Sequence, residues 1–368
     1  MERQTHVEQR NTHGLGRKIG LAGLLAAGGF TLAGCDVEPP AALDKVLRMG
    51  WPEGITPEAQ AMGNFWVWVW VVAWIIGIVM WGIFLVAIFR WSAKRAEKNG
   101  KGEFPKQLQY NVPLELVLTG LPIVIVMALF FFTVQTQNKV TALDKDPEVT
   151  VDVTAFQWNW KFGYAELSDR FSPTNGAYDG TDAERQAQAD ATVNDLDANG
   201  NLPIHGRSIK DLSYLNYNQI ETLGTTEEVP VLVLPSGAPV EFRLASGDVA
   251  HSFWIPEFLF KRDAYAHPET NQQQRAFQIS EIEREGAFVG RCAEMCGTYH
   301  AMMNFELRVV SPEKFAEYIA FRDANPEAPN SAALEHIGEA PYAVSTHPFN
   351  SDRETADGGN FVDHNQNA

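Results

Sequence analysis

The chain has 368 residues, 45% of them hydrophobic, and a formal net charge of −17 at pH 7. So acidic a surface argues against nucleic acid as a partner and favours a cationic one, beyond its plain effect on solubility. The hydrophobic share is not spread evenly, and part of the length is not soluble.

The first 34 residues read as an export signal. Basic Arg10, Arg17 and Lys18 precede an apolar, small-residue run from Ile19 to Ala33, too short and too Gly-rich to span a bilayer. The run ends in Leu32-Ala33-Gly34-Cys35, which resembles the bacterial lipobox. Cys35 is therefore expected to carry a lipid and to become the mature N-terminus, with residues 35–64 forming an extracytoplasmic segment.

Two membrane spans follow. Residues 65–90 contain Trp66, Trp68, Trp70, Trp74 and Trp81 and no charge before Arg90. Residues 112–134 are apolar except for Glu115 and are interrupted by Pro122. Each is long enough to cross a bilayer. The loop over 91–111 carries Lys94, Arg95, Lys98, Lys101 and Lys106 against Glu97 and Glu103. Basic loops stay in the cytoplasm, so both ends of the hairpin face outward, in agreement with the export signal. Glu115 is an ionisable group near the cytoplasmic end of a span, which makes it a functional candidate. A carboxylate is also simply favourable near a helix N-terminus.

From Glu148 the pattern becomes short alternating segments bounded by Pro and Gly. Val149 to Val153 alternates, and Phe156, Trp158, Trp160, Phe162 and Tyr164 continue on one face while Gln157, Asn159 and Lys161 take the other. Further strands are expected over 229–234, 240–244, 251–255, 276–282, 287–292 and 304–310, an antiparallel β-sandwich over 148–310. Residues 165–227 interrupt it with eleven Asp and Glu against four Lys and Arg, too long a stretch for an ordinary hairpin loop. From residue 311 a short capping helix (312–321) and then an acidic, disordered tail to 368 are expected.

The chemistry concentrates in Cys292-Ala-Glu294-Met-Cys296-Gly-Thr-Tyr-His300-Ala-Met302-Met303, with His251 some forty positions upstream. A disulfide is the ordinary fate of a cysteine pair in an exported protein. A disulfide does not ask for a His and a Met at short fixed spacing, whereas soft sulfur and imidazole donors together select copper. A mononuclear copper site of this kind uses one Cys; two can hold a pair of ions.

Signal, two-span hairpin, basic inner loop, sandwich and His251…Cys292-x-Glu294-x-Cys296-x3-His300-x2-Met303 together resemble subunit II of the haem–copper cytochrome c oxidases, in an actinobacterial-like, lipoprotein-type form. The resemblance implies a cupredoxin-like fold and a dinuclear copper centre, CuA. In it Cys292 and Cys296 bridge two coppers; His251 and Met303 complete one ion, and His300 with the backbone carbonyl of Glu294 the other. The family's three-residue step from His selects Met303 over Met302. The resemblance further implies that the Glu294 side chain helps bind magnesium shared with subunit I. Trp158, within Gln157-Trp158-Asn159-Trp160, would receive the electron, and Glu115 would lie at the mouth of a proton path into subunit I. Implied partners are oxidase subunits I and III, the membrane, and a c-type cytochrome, soluble or bound to a membrane reductase complex. Implied activity is electron relay to haem in subunit I, where oxygen is reduced to water with proton pumping.

Two features depart from the family pattern. Its usual Asp-Ala-x-Pro-Gly-Arg segment is replaced by Asp263-Ala264-Tyr265-Ala266-His267-Pro268 and a Gln-rich loop. The 165–227 insertion is longer than the usual loop and is read as a dock for a membrane-held cytochrome. Rival readings fare worse. Quinol-oxidase subunit II lacks the copper ligands. In a membrane-anchored, thioredoxin-like copper chaperone the His lies far from the Cys pair. Nitrous oxide reductase shares the motif but has a propeller domain and no membrane hairpin.

Overall fold

A computed structural model describes residues 38–101, 109–174, 176–194 and 211–347. The export signal with Cys35, part of the basic loop, the middle of the insertion and the end of the tail lie outside the described residues. The chain forms two compact units, one centred on residues 64–137 and one combining 50–63 with the segment from 138 onward.

The first unit is built on α1 (Ala41–Leu47), α2 (Pro57–Arg90), α3 (Ala93–Lys98) and α4 (Val112–Thr141). The first turns of α2 belong to the other unit. Both long helices are apolar all round: Ile78, Trp81, Phe84 and Phe89 of α2 and Leu116, Val124 and Phe130 of α4 are exposed. A helix of that kind fits lipid rather than water, and both are long and apolar enough to cross a membrane. Helix α4 runs through Pro122, which membrane-spanning helices tolerate.

The second unit is a sandwich. Its strands are β1 (Val149–Phe156), β2 (Asn159–Leu167), β3 (Tyr178–Asp179), β4 (Glu221–Leu223), β5 (Val231–Pro235), β6 (Val240–Ser246), β7 (His251–Ile255), β8 (Phe260–Ala264), β9 (Ala276–Ile279), β10 (Gly286–Cys292) and β11 (Asn304–Val310). One sheet runs β3-β2-β1-β6-β9, with β4 also paired to β2; the other runs β5-β11-β10-β7-β8. Pairing is mixed rather than wholly antiparallel, because β1 lies parallel to β6 and β5 parallel to β11. Both pairs join strands far apart in the chain, and parallel neighbours need such long crossovers. Alternation reveals which face a residue takes but not the direction of its partner. The inner faces interdigitate through aromatic rings: Trp160 and Phe162 of β2 meet Phe253 and Phe305, which stack at 4.8 Å.

Two further expectations change here. The aromatic alternation across 156–164 is not one strand: Phe156 pairs with Asn159, so Gln157 and Trp158 form the tip of a two-residue hairpin. The described parts of the insertion are a packed layer. Strands β3 and β4 extend the first sheet, α5 (Ala183–Asp190) is capped by Asp182, and Lys161, on the face opposite the aromatics, is buried against Glu221 at 2.8 Å.

The described part of the tail is likewise ordered. Helix α6 (Pro312–Ala324) outruns its expected end, and α7 (Asn330–His336) buries Ala333 and Leu334. The segment beyond is held by β11. Buried Glu306 accepts from the Val344 and Ser345 amides at 2.6 Å each, and Arg308 donates to the Ala340 and Tyr342 carbonyls at 3.2 Å. These partners lie more than thirty residues from the segment they anchor, so local composition carries no sign of the order.

Candidate metal centre

The loop 293–303 joins β10 to β11, and its two ends are tied together. Cys292 N–H donates to the Met303 carbonyl at 3.1 Å, and Ala293 N–H to the Ser252 carbonyl at 2.9 Å. Strand β7 pairs with β10 so that Phe253 faces Cys292, which brings His251 beside the start of the loop. Register, not sequence proximity, thus joins the distant histidine to the cluster.

The sulfurs of Cys292 and Cys296 are 3.9 Å apart. Both thiols are buried and free, and that separation is well beyond the roughly 2.05 Å of a disulfide. His251 Nδ1 lies 3.8 Å from Cys292 Sγ, and His300 Nδ1 lies 3.5 Å from Cys296 Sγ. Met303 Sδ is 3.9 Å from Cys296 Sγ, and the Glu294 carbonyl oxygen is 3.2 Å from Cys292 Sγ. Met303 is 1% exposed whereas Met302 is 48% exposed, so Met303 alone of the two is turned inward. The Glu294 side chain is exposed. All six positions named from the sequence therefore converge. Two thiols, two imidazole nitrogens, a thioether and a carbonyl are a soft-to-borderline donor set that fits copper.

The electrostatics of the cluster are uneven. Burial disfavours charge on either sulfur, but the His251 contact and the neighbouring Ser252 and Glu294 backbone bring the Cys292 thiol down to about 7. Burial and the adjacent Cys292 sulfur push Cys296 the other way, up to about 12. Burial also opposes a charged His251, yet Asp248 and Cys292 outweigh it and hold the imidazole above its ordinary value.

Residues that the sequence did not single out complete the surroundings. Asp248 Oδ1 bonds His251 Nε2 at 2.8 Å, which leaves Nδ1 directed at the sulfurs. Its other oxygen, Oδ2, accepts from the Gln157 amide at 2.7 Å. An Asp three residues before the His was visible, but nothing in its spacing separates a brace from a turn residue.

Trp158, half-buried at the hairpin tip, donates its indole N–H to the Cys296 carbonyl at 3.1 Å, beside the Gln157 amide bond to the same oxygen at 2.8 Å. Its ring stands edge-on to Tyr299 at 4.8 Å. Gly297 sits beneath at φ +119°, where an added Cβ would come within 3.2 Å of the indole. Trp160 is fully buried in the core. Glu115 lies in the helical unit and not at this site. Its carboxylate accepts from the Asn111 amide at 3.0 Å while Asn111 accepts from Leu114 at 3.4 Å, a reciprocal cap on α4.

Comparison with known proteins shows the family to which the chain belongs. A family profile described as cytochrome c oxidase subunit II, periplasmic domain, matches residues 149–310. Cytochrome c oxidase subunit 2 of Corynebacterium glutamicum is 70% identical over 96% of this chain and 99% of its own length. The protein of the same name from Mycobacterium tuberculosis is 46% identical over 92% of this chain and 90% of its own. The crystal structure of the periplasmic domain of subunit II from Bradyrhizobium japonicum aligns with 49% of this chain and 97% of that one, at 21% identity and a TM-score of 0.29. With its two membrane-spanning helices and extracytoplasmic domain, the chain belongs to the cytochrome c oxidase subunit II family, a component of haem–copper terminal oxidases, among its actinobacterial members.

Proposed function

We propose that this chain is the electron-accepting subunit of its oxidase, taking single electrons from a c-type cytochrome, soluble or membrane-bound, and relaying them towards haem in subunit I. Oxygen reduction and the proton pumping coupled to it belong to subunit I, with subunit III as a further partner. The observation that carries this reading is the pair of unbridged, buried thiols 3.9 Å apart with four further donors within 4 Å of one or the other.

In this reading Cys292 and Cys296 would together hold two copper ions. His251, Met303, His300 and the Glu294 carbonyl would supply the remaining donors. When bound, such a pair supplies a one-electron carrier whose coordination changes little between oxidation states. The chain's own residues do the rest. Asp248 fixes the His251 tautomer. Buried Met303, Phe253 and Phe305 keep water from the cluster. Trp158 gives a short bonded route from the surface to the backbone of a ligand. Glu294 would hold magnesium shared with subunit I through its exposed side chain, and Glu115 would admit protons to subunit I in addition to capping α4. The insertion would dock a membrane-held cytochrome through its acidic surface, and the hairpin would hold its turn in the cytoplasm with Cys35 lipidated outside.

The test is Cys296→Ser in the assembled oxidase. Loss of the near-infrared absorption of a dinuclear copper centre supports the ligand assignment; an unchanged band refutes it.

A further inference from the structure

The two departures from the family pattern, the long insertion and the loop after β8, touch each other. The Tyr214 ring lies 4.0 Å from the His267 ring, and Asp211 Oδ2 is 3.7 Å from His267 Nδ1. The insertion itself is firmly seated. Asn216 and Asn218 donate to buried Asp152 at 2.8 and 3.2 Å, and Asn218 fills the space above Gly163 that any Cβ would occupy. Arg185 spans Asp182 and Glu221 at 2.7 Å each.

From this platform one bond reaches the copper loop's neighbour. The Tyr214 hydroxyl donates to the Ser246 carbonyl at 2.9 Å, while the Ser246 amide donates to the Tyr265 carbonyl at 3.0 Å. Ser246 opens the turn that carries Asp248: its hydroxyl donates to the Val249 carbonyl at 2.5 Å and accepts from the Asp248 amide at 3.1 Å. The Asp248 carboxylate then grips His251 with one oxygen and the Gln157 amide, next to Trp158, with the other. The turn 246–249 is thus held from outside by Tyr214, by Tyr265 and by the Ala155 carbonyl, which accepts from the Gly247 amide at 2.8 Å, and it sets both a ligand and the hairpin tip.

The geometry assigns Tyr214 as a positioning residue for the copper site, acting through the Ser246–Val249 turn on Asp248 and thereby on His251 and Trp158. This rests on the copper reading given above. It gives the insertion a role that does not depend on any partner: it braces the electron-accepting end of the sandwich. A loosened turn lets the His251 ring and the Trp158 hairpin shift without removing any donor, so copper stays bound while its spectrum and potential change.

The experiment uses the assembled oxidase carrying Tyr214→Phe, which removes only the hydroxyl, and Ser246→Ala, which weakens the same turn from within. Gln219→Ala is the control, because Gln219 ties the insertion at Tyr178 and Thr181, away from Tyr214 and the turn. Expected are full copper content with a shifted copper electron paramagnetic resonance pattern and a shifted midpoint potential in both turn variants, and a wild-type spectrum in the control. Wild-type spectra and potentials in Tyr214→Phe and Ser246→Ala overturn the proposal. Equal shifts in all three variants also overturn it, since general loosening of the insertion would then be the cause. A spectrum that survives Cys296→Ser instead overturns the copper reading itself, so the two failures are distinguishable.

Discussion

The indole N–H of Trp158 donates to the carbonyl oxygen of Cys296 at 3.1 Å, joining the tip of the β1–β2 hairpin to the backbone of a buried thiol. A surface aromatic and a candidate ligand are thereby one hydrogen bond apart. Trp158→Phe keeps an aromatic ring and loses the bond, at a stability cost of about 1 kcal/mol. Copper content should be unchanged, while rapid-mixing kinetics should show slower reduction of the copper by cytochrome. Wild-type kinetics would remove Trp158 from the route.

Asp248 braces His251 from the side away from the sulfurs. Asp248→Asn can still bond the ring but no longer stabilises the tautomer with Nδ1 free for metal. Partners of this kind typically contribute about 10- to 100-fold in metal affinity. Competition against a copper chelator should reveal a loss in that range, and an affinity equal to wild type would contradict the brace.

Before copper binds, the two thiols should titrate far apart. Cys292, lowered to about 7, is a thiolate above that pH and a thiol below it; Cys296, raised to about 12, keeps its proton at neutral pH. Alkylation of the metal-free protein should therefore rise through pH 7 and mark Cys292 first, as peptide mapping would report. Copper uptake must expel the Cys296 proton, so affinity should fall as pH falls. Preferential labelling of Cys296 would contradict the assignment.

Glu115→Gln retains an acceptor for the Asn111 amide, so α4 should stay capped. If Glu115 also admits protons, flash-induced reduction of the haem in subunit I should slow while reduction of copper proceeds normally. Identical haem kinetics would leave Glu115 as a cap alone.

How much of this was legible in the sequence follows the range of each interaction. Cys292 to Met303 lie within twelve residues, so spacing alone exposed their chemistry. His251 needed the strand pattern and the family resemblance, because its approach depends on the β7–β10 register. The hairpin tip was hidden: a two-residue turn preserves the alternation of residue types that marks a strand. Nothing local marks Asp152 and Lys161 as buried, because Asn216 and Glu221, which pair with them, lie about sixty positions away. For the same reason the insertion cannot be excised as a loop to test its function; its removal would bare buried Asp152 and Lys161. Point changes such as Tyr214→Phe leave that layer in place.

The central claim is that six donors hold two coppers that share one unpaired electron. Metal analysis together with electron paramagnetic resonance on the purified full-length protein addresses it directly. The account predicts two coppers per chain and, in the oxidised form, a hyperfine pattern from one electron spread equally over both nuclei. One copper per chain, or a pattern from a single nucleus, would contradict it.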